Sequence, residues 1–408
     1  MKTTKNRVFQ FEDWLYLTGL YIMLISQYLT VFANLKYIGA SVCFLYILVY
    51  YDKKDYNKYI HWCFSFLGFF LLSVVWALKM KIALIVFVSH LTPYFLLTFA
   101  TMRYFSSYKK LNNIFMAVFL CGMILLIYLS FNIDEFLLGA RLGSSLNEED
   151  NEEKVWNVNV IGMCLCFSLY AGWILFGNIK RSLFKKTLFI LSFIVMIIAS
   201  LLTGSRKVIL MLTIPISYFL YKKSRKYFIV GIIGGIIIAY IGYYLIMKVE
   251  FFYSTIGYRV EDMIAILSGN TTGYEDESRK YLAQYGIEWW QDNPIFGIGI
   301  NCYKVLSNAT DMFRGLNFYA HNNYIELLVD VGVIGFLLYY RGYYYLLKES
   351  FKSKTKEMSW VFIMVVTILA LDTGNVSYYD MRVQLLLVIL FGVIRIEKLR
   401  IGKKYEIS

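Results

Sequence analysis

The sequence predicts an all-α protein that crosses a bilayer about 12 times, and two observations carry that prediction. Apolar residues make up 59% of the 408 and charged residues only 17%, with a mean hydropathy of +0.55. Apolar runs long enough for a helix to cross about 30 Å of hydrocarbon also recur along the whole chain. A helix satisfies its own backbone N–H and C=O groups where there is no water to do so.

Hydropathy places the spans at 14–32, 37–51, 59–78, 82–100, 114–131 and 158–176. The later ones fall at 183–202, 208–221, 227–247, 324–347, 360–371 and 381–396. With the N-terminus in the cytoplasm, Lys53-Lys54, Lys109-Lys110, Lys180-Arg181, Lys185-Lys186, Lys222-Lys223 and the C-terminal Lys398–Lys404 group all lie inside. About 26 of the 41 basic residues then fall on cytoplasmic segments and about 14 on external ones, as positive-inside sorting requires. The net charge of +13 is therefore a topology signal, and nucleic acid is not an expected partner. Residues 1–13 are polar and mixed in charge, so the first span is expected to stay as an anchor and not to be cleaved.

The six cysteines give neither a disulfide framework nor a metal-ligand spacing, and no metal is expected. Cys164-Leu165-Cys166 is too close for a zinc pair without other ligands, and packing is the simpler reading. The glycines at 231, 234 and 235 form a small-residue face suited to helix packing.

Two external loops interrupt the short connections. The first, 132–157, is acidic through Glu148-Glu149-Asp150 and Glu152-Glu153, and contains Arg141. The second, 248–323, is about 75 residues, far longer than an ordinary connection. It divides the chain into N-terminal helices (1–247), an external lid or catalytic loop (248–323) and C-terminal helices (324–408). Within it, 258–267 and 278–291 have helical character. Ser278 suits a helix cap, Pro294 a stop, and Trp289-Trp290 a helix lying in the membrane interface.

Basic residues on the outer side run against membrane sorting and call for a reason. Arg206-Lys207 follows Thr203-Gly204-Ser205 where one span ends and the next begins; Arg141, Arg259 and Arg279 lie in the loops. A guanidinium binds phosphate oxygens in pairs and keeps its charge. Snorkelling is the structural alternative for Arg206 with its neighbour Lys207, but the positive-inside rule favours a functional role there; solvation matches function for Arg279 and outweighs it for Arg259 and Arg141. His321 leads Ala320-His321-Asn322-Asn323 into a span, where it suits a general base or a phosphate contact; capping of the helix by its amide neighbours is the structural alternative. Asp372 and Asp380, flanking the last external turn, are alternative carboxylate bases.

Thr203-Gly204-Ser205-Arg206, Ser278-Arg279, Asn293-Pro294-Ile295-Phe296-Gly297-Ile298-Gly299 and His321-Asn322 with Gly332 and Gly335 together resemble the O-antigen polymerase/ligase superfamily, over about a third of the chain. Arg141-x-Gly143 and Asn157-x-Asn159 resemble an earlier feature of the family more loosely. The resemblance implies a metal-independent membrane glycosyltransferase with a C-type fold in a bacterial inner membrane, and no cofactor. Its substrate would be an oligosaccharide on undecaprenyl pyrophosphate, with flippase and chain-length regulator proteins as partners. Carried over by position, Arg206, Arg279 and His321 would be catalytic, and Arg141, Asn159, Lys207, Arg259 and Asn322 would bind substrate. Two departures leave polymerase and ligase open. The arginine-x10-glycine spacing of some polymerases meets Trp290 at the glycine position, and the arginine-x3-leucine spacing of ligases is off by one at Leu282. A flippase or transporter also suits the span number, although no repeat halves are visible.

Overall fold

The computed structural model describes residues 11–50, 57–133, 158–178, 183–249, 253, 257, 261, 274–313, 315, 317–353 and 355–405. Among these, the regular elements are helices. They run Phe11–Tyr28 (α1), Leu35–Val49 (α2), Lys58–Ser73 (α3), Met80–Tyr104 (α4), Tyr108–Phe131 (α5), Val158–Asn178 (α6), Leu183–Leu202 (α7), Arg206–Lys223 (α8) and Arg225–Lys248 (α9). Tyr274–Asp292 (α10) and Tyr303–Ala309 (α11) follow in the long loop, then Asn323–Phe351 (α12), Lys356–Leu371 (α13) and Met381–Tyr405 (α14). A helix lies over each apolar segment named above. By length and composition α4, α5, α6 and α12 can each cross a membrane, whereas α2 and Lys186–Leu202 of α7 are apolar but shorter. The expected helix at 258–267 lies outside the described residues.

Large apolar side chains cover the outside of the bundle. On α7, Leu188, Leu191, Val195 and Ile198 are all exposed, at the three-to-four spacing of one helix face. Such a surface suits lipid and not water. Inside, α5 packs against α6, α12 against α3 and α13, and α10 against α12. Close approach is set by small residues: a Cβ at Gly122 would lie 2.4 Å from the Ser168 side chain. Of the α9 glycines, Gly231 meets Leu220 at 2.5 Å, while Gly234 faces open space.

One correction concerns α10. It begins at Tyr274, so Ser278 is buried inside the helix and does not cap it. Trp289 stacks on Tyr285 and meets the Tyr303 ring edge-on at 5.2 Å, and the Trp290 indole donates to the Pro294 carbonyl at 3.2 Å. The pair thus packs on the loop's own core, with Leu282, Tyr303 and Phe313.

The turn that follows α10 docks into a break in α12. Gly332 has φ 61° and ψ −171°, which interrupts the helix and releases backbone groups on both sides. Ile298 N donates to Val329 O at 3.0 Å and Gly299 N to Asp330 O at 2.8 Å; in return Val333 N donates to Pro294 O at 2.9 Å. The glycines are there because two backbones touch. A Cβ at Gly332 would lie 2.3 Å from Ile295 O, and one at Gly297 would lie 2.5 Å from the Asp330 carbonyl. This contact accounts for the joint presence of the Asn293–Gly299 turn and the glycine at 332.

Candidate functional site

Asp330 anchors the next stretch of loop. It is wholly buried in α12, and its two oxygens accept from Asn301 N at 2.8 Å and Tyr303 N at 2.7 Å, with Tyr378 Oη at 3.3 Å. Those bonds fix the start of α11 and hence Lys304. Glu326, one turn earlier, is also fully buried and accepts from Ala320 N at 2.8 Å, which fixes the residue before His321. Asn323 completes the frame by accepting from Ser377 N and Tyr378 N and donating to Tyr340 Oη at 2.8 Å. The linker into α12 is thereby tied to the turn between α13 and α14.

His321 has φ 51°, a left-handed conformation that costs a non-glycine residue energy and tends to persist where the surroundings enforce it. The turn it makes lets the Asn322 side chain cap α12, accepting from Tyr324 N at 3.0 Å and Ile325 N at 3.2 Å. The Asn322 oxygen is therefore engaged by the helix. The imidazole lies against Tyr319, with ring centroids 3.9 Å apart. Burial, reinforced by the charges of Arg279 and Lys207, pulls His321 down to about 3. It is neutral at physiological pH.

Lys207 comes from the first turn of α8, and its ammonium donates to Asn375 Oδ1 at 2.7 Å. Burial, with the nearby Arg382 and Arg279, pulls it down to about 8 despite the opposing Asp380 carboxylate. The structure thus gathers three of the expected residues, Arg279 from α10, Lys207 from α8 and His321 from the α12 linker. Arg206, their expected companion, is exposed at the first position of α8. Asn159 accepts from Ser205 Oγ at 2.7 Å and joins α6 to the turn that presents Lys207. Arg141 and Arg259 lie outside the described residues.

Near Lys207 lies a buried ion pair, Asp380 with Arg382. Asp380 is one of the two expected carboxylate bases, but both of its oxygens are taken by Arg382, at 2.9 Å to Nε and 2.6 Å to Nη2. Burial alone would raise the Asp380 carboxyl; the Arg382 charge and hydrogen bonds outweigh it and hold the group below its ordinary value. Arg382 also donates to Val160 O at 3.1 Å and so ties α14 to α6. Opposite charges two residues apart at the head of an apolar helix were the available signal. Asp372 differs: burial pushes it up to about 7, and Tyr340 Oη donates to it at 2.8 Å. Among the described residues no group of His, Cys, Asp and Glu is arranged to hold a metal ion.

Exposed apolar helix faces around a buried polar network, with Arg279, Lys207 and His321 near one another where helices begin and end, define a helical membrane protein. Residues 191–340 match the O-antigen ligase family (Wzy_C). The chain accordingly carries a domain of the O-antigen polymerase/ligase superfamily. The match starts in α7, ends in α12 and includes Lys207, Arg279, His321 and Gly332. None of the curated proteins compared with it matches the chain.

Proposed function

We propose that the protein is a membrane glycosyltransferase that polymerises undecaprenyl-pyrophosphate-linked oligosaccharide repeat units into a surface polysaccharide. In this reading all twelve long helices other than α10 and α11 cross the inner membrane, both termini are cytoplasmic, and the 248–323 loop covers the external ends. The observation that carries the reading is the convergence of Arg279, Lys207 and His321 from three separate segments.

The chemistry asked of them is displacement at an anomeric carbon. The acceptor hydroxyl oxygen forms the new glycosidic bond, the bond from carbon to diphosphate breaks, and undecaprenyl diphosphate leaves with the electron pair. Arg279 and Lys207 hold the diphosphate and stabilise the charge it gains as it leaves. His321 is a weak base in the empty cluster. A bound diphosphate offsets its two cationic neighbours, so the imidazole gains basicity when the donor is present and takes the hydroxyl proton.

Transfer to lipid A core or another terminal acceptor is the second reading, favoured by the description of the matching family. Purified protein in lipid, given only undecaprenyl-pyrophosphate repeat units, separates the two. A ladder of longer lipid-linked chains supports polymerisation, whereas product that forms only with an added terminal acceptor supports ligation. Movement of substrate across the bilayer without new glycosidic bonds would sink both.

A further inference from the structure

Asn375 carries a hydrogen-bonding group that the fold leaves without a use. It sits in the turn between α13 and α14, which is tied to the head of α12: Asn323 N donates to Asp372 O at 2.8 Å, and Asn323 Oδ1 accepts from Ser377 N at 2.9 Å. Asn375 itself is only 7% exposed. An ammonium can only donate, so the oxygen of the Asn375 amide must be the atom that faces Lys207, where it accepts from Nζ at 2.7 Å. The amide orientation is thereby fixed. Its nitrogen, Nδ2, is buried and has no hydrogen-bond partner.

A buried N–H without an acceptor is costly, and its presence in a fold calls for a reason. Seating Lys207 is not a sufficient one, because that task uses the oxygen alone. A carboxylate at 375 would seat the ammonium more strongly and leave no orphan donor. The amide instead leaves the lysine charge uncancelled and sets a second donor beside it. The Asp380 carboxylate also bears on Lys207, but both of its oxygens are held by Arg382. Nor is the turn sealed off. Thr373 and Gly374 are exposed, and a Cβ on Gly374 would meet nothing within 4 Å.

We propose that Asn375 is a substrate-binding residue, whose Nδ2 donates to an oxygen of the diphosphate that Lys207 holds. This rests on the diphosphate reading of the Lys207 site. Asn375 lies beyond the matched residues 191–340, so the family match does not assign it. The two donors do different work. The ammonium is a point charge that accepts an anion from many directions, whereas the amide N–H is directional and fixes where the oxygen sits. The incoming oxygen supplies the acceptor that Nδ2 lacks in the empty protein.

The test uses the full chain in phosphatidylcholine nanodiscs, titrated with sugar-free undecaprenyl diphosphate. Asn375→Asp keeps an acceptor for Lys207 and replaces the free donor by an oxygen. It should melt no lower than the unaltered protein, yet bind the diphosphate about tenfold or more weakly. Asn375→Ala, which adds no negative charge, should lose less. A residue that only positions Lys207 gives the reverse order. Because a new charge near the site could weaken binding without contact, the amide is also followed directly. In protein with isotopically labelled asparagine, the side-chain amide signal missing from Asn375→Asp should move downfield as the diphosphate saturates the unaltered protein. A signal that stays in place, or full affinity in Asn375→Asp, overturns the inference and leaves the diphosphate site standing. Displacement of the diphosphate by phosphatidylglycerol overturns it too, since the two donors would then hold a phospholipid headgroup. No binding by the unaltered protein rejects the diphosphate reading and the role of Asn375 with it.

Discussion

Lys207 shows how far a residue can be read before its neighbours are known. Arg206 and Lys207 are adjacent, and on a helix adjacent side chains point about 100° apart. Only packing could decide that the lysine turns inward to Asn375 and the arginine stays exposed. The consequence is a pH dependence. With Lys207 at about 8, its charge is nearly complete at neutral pH and is lost as pH rises through that value. We expect kcat/KM to fall on the alkaline side with an apparent pKa near 8, and Lys207→Arg to extend the plateau past about pH 9, because a guanidinium stays charged. Arg279→Ala should lower kcat/KM by about 100-fold or more, as loss of a charge-stabilising donor typically does, with the protein still in the membrane. Full activity in that variant would remove Arg279 from the diphosphate site. His321 carries a stability effect of the opposite pH sense. The unfolded chain takes up its proton near pH 6.5 and the folded one near 3. Acid should therefore destabilise the fold progressively between those values, and His321→Gln should remove that part of the loss in thermal unfolding measured across pH.

At the scale of elements, the helices were legible and the break in α12 was not. Apolar residues recur on both sides of Gly332, at Val329, Val331, Val333 and Ile334, so periodicity gives no sign that the helix stops and restarts there. The glycine itself was visible as a motif, but its use depends on the turn 294–299 arriving from elsewhere. Gly332→Ala should cost about 1–3 kcal/mol in backbone strain before the contact with Ile295 O is counted. Gly374→Ala, which meets nothing within 4 Å, is the matched control. Equal melting of the two variants in detergent would show that the docking is wrong. Asp330→Asn tests the same joint. Its amide can accept with one oxygen where the carboxylate accepts with two, so either Asn301 N or Tyr303 N loses its partner at a cost of about 1–3 kcal/mol.

Across the molecule, the Asp380–Arg382 pair joins the last helix to α6 and stands near Lys207 in the cationic cluster. Asp380→Asn leaves a buried guanidinium without its counter-charge, and a loss of about 3–5 kcal/mol is expected. The double variant Asp380→Asn/Arg382→Met should recover part of that, since it removes the unpaired charge as well. A double variant less stable than Asp380→Asn alone would mean that the bond from Arg382 to Val160 outweighs the electrostatics.

The sequence by itself determined that this is a helical membrane protein, because a lipid interior leaves a chain of such composition few other ways to satisfy its backbone. It also supplied the histidine, the loop arginine and the glycines, through motif and resemblance. Which cations meet was decided only in three dimensions. Lys207, Arg279, His321 and Asn375 come from segments far apart in the chain, and only the packing of those segments brings them together.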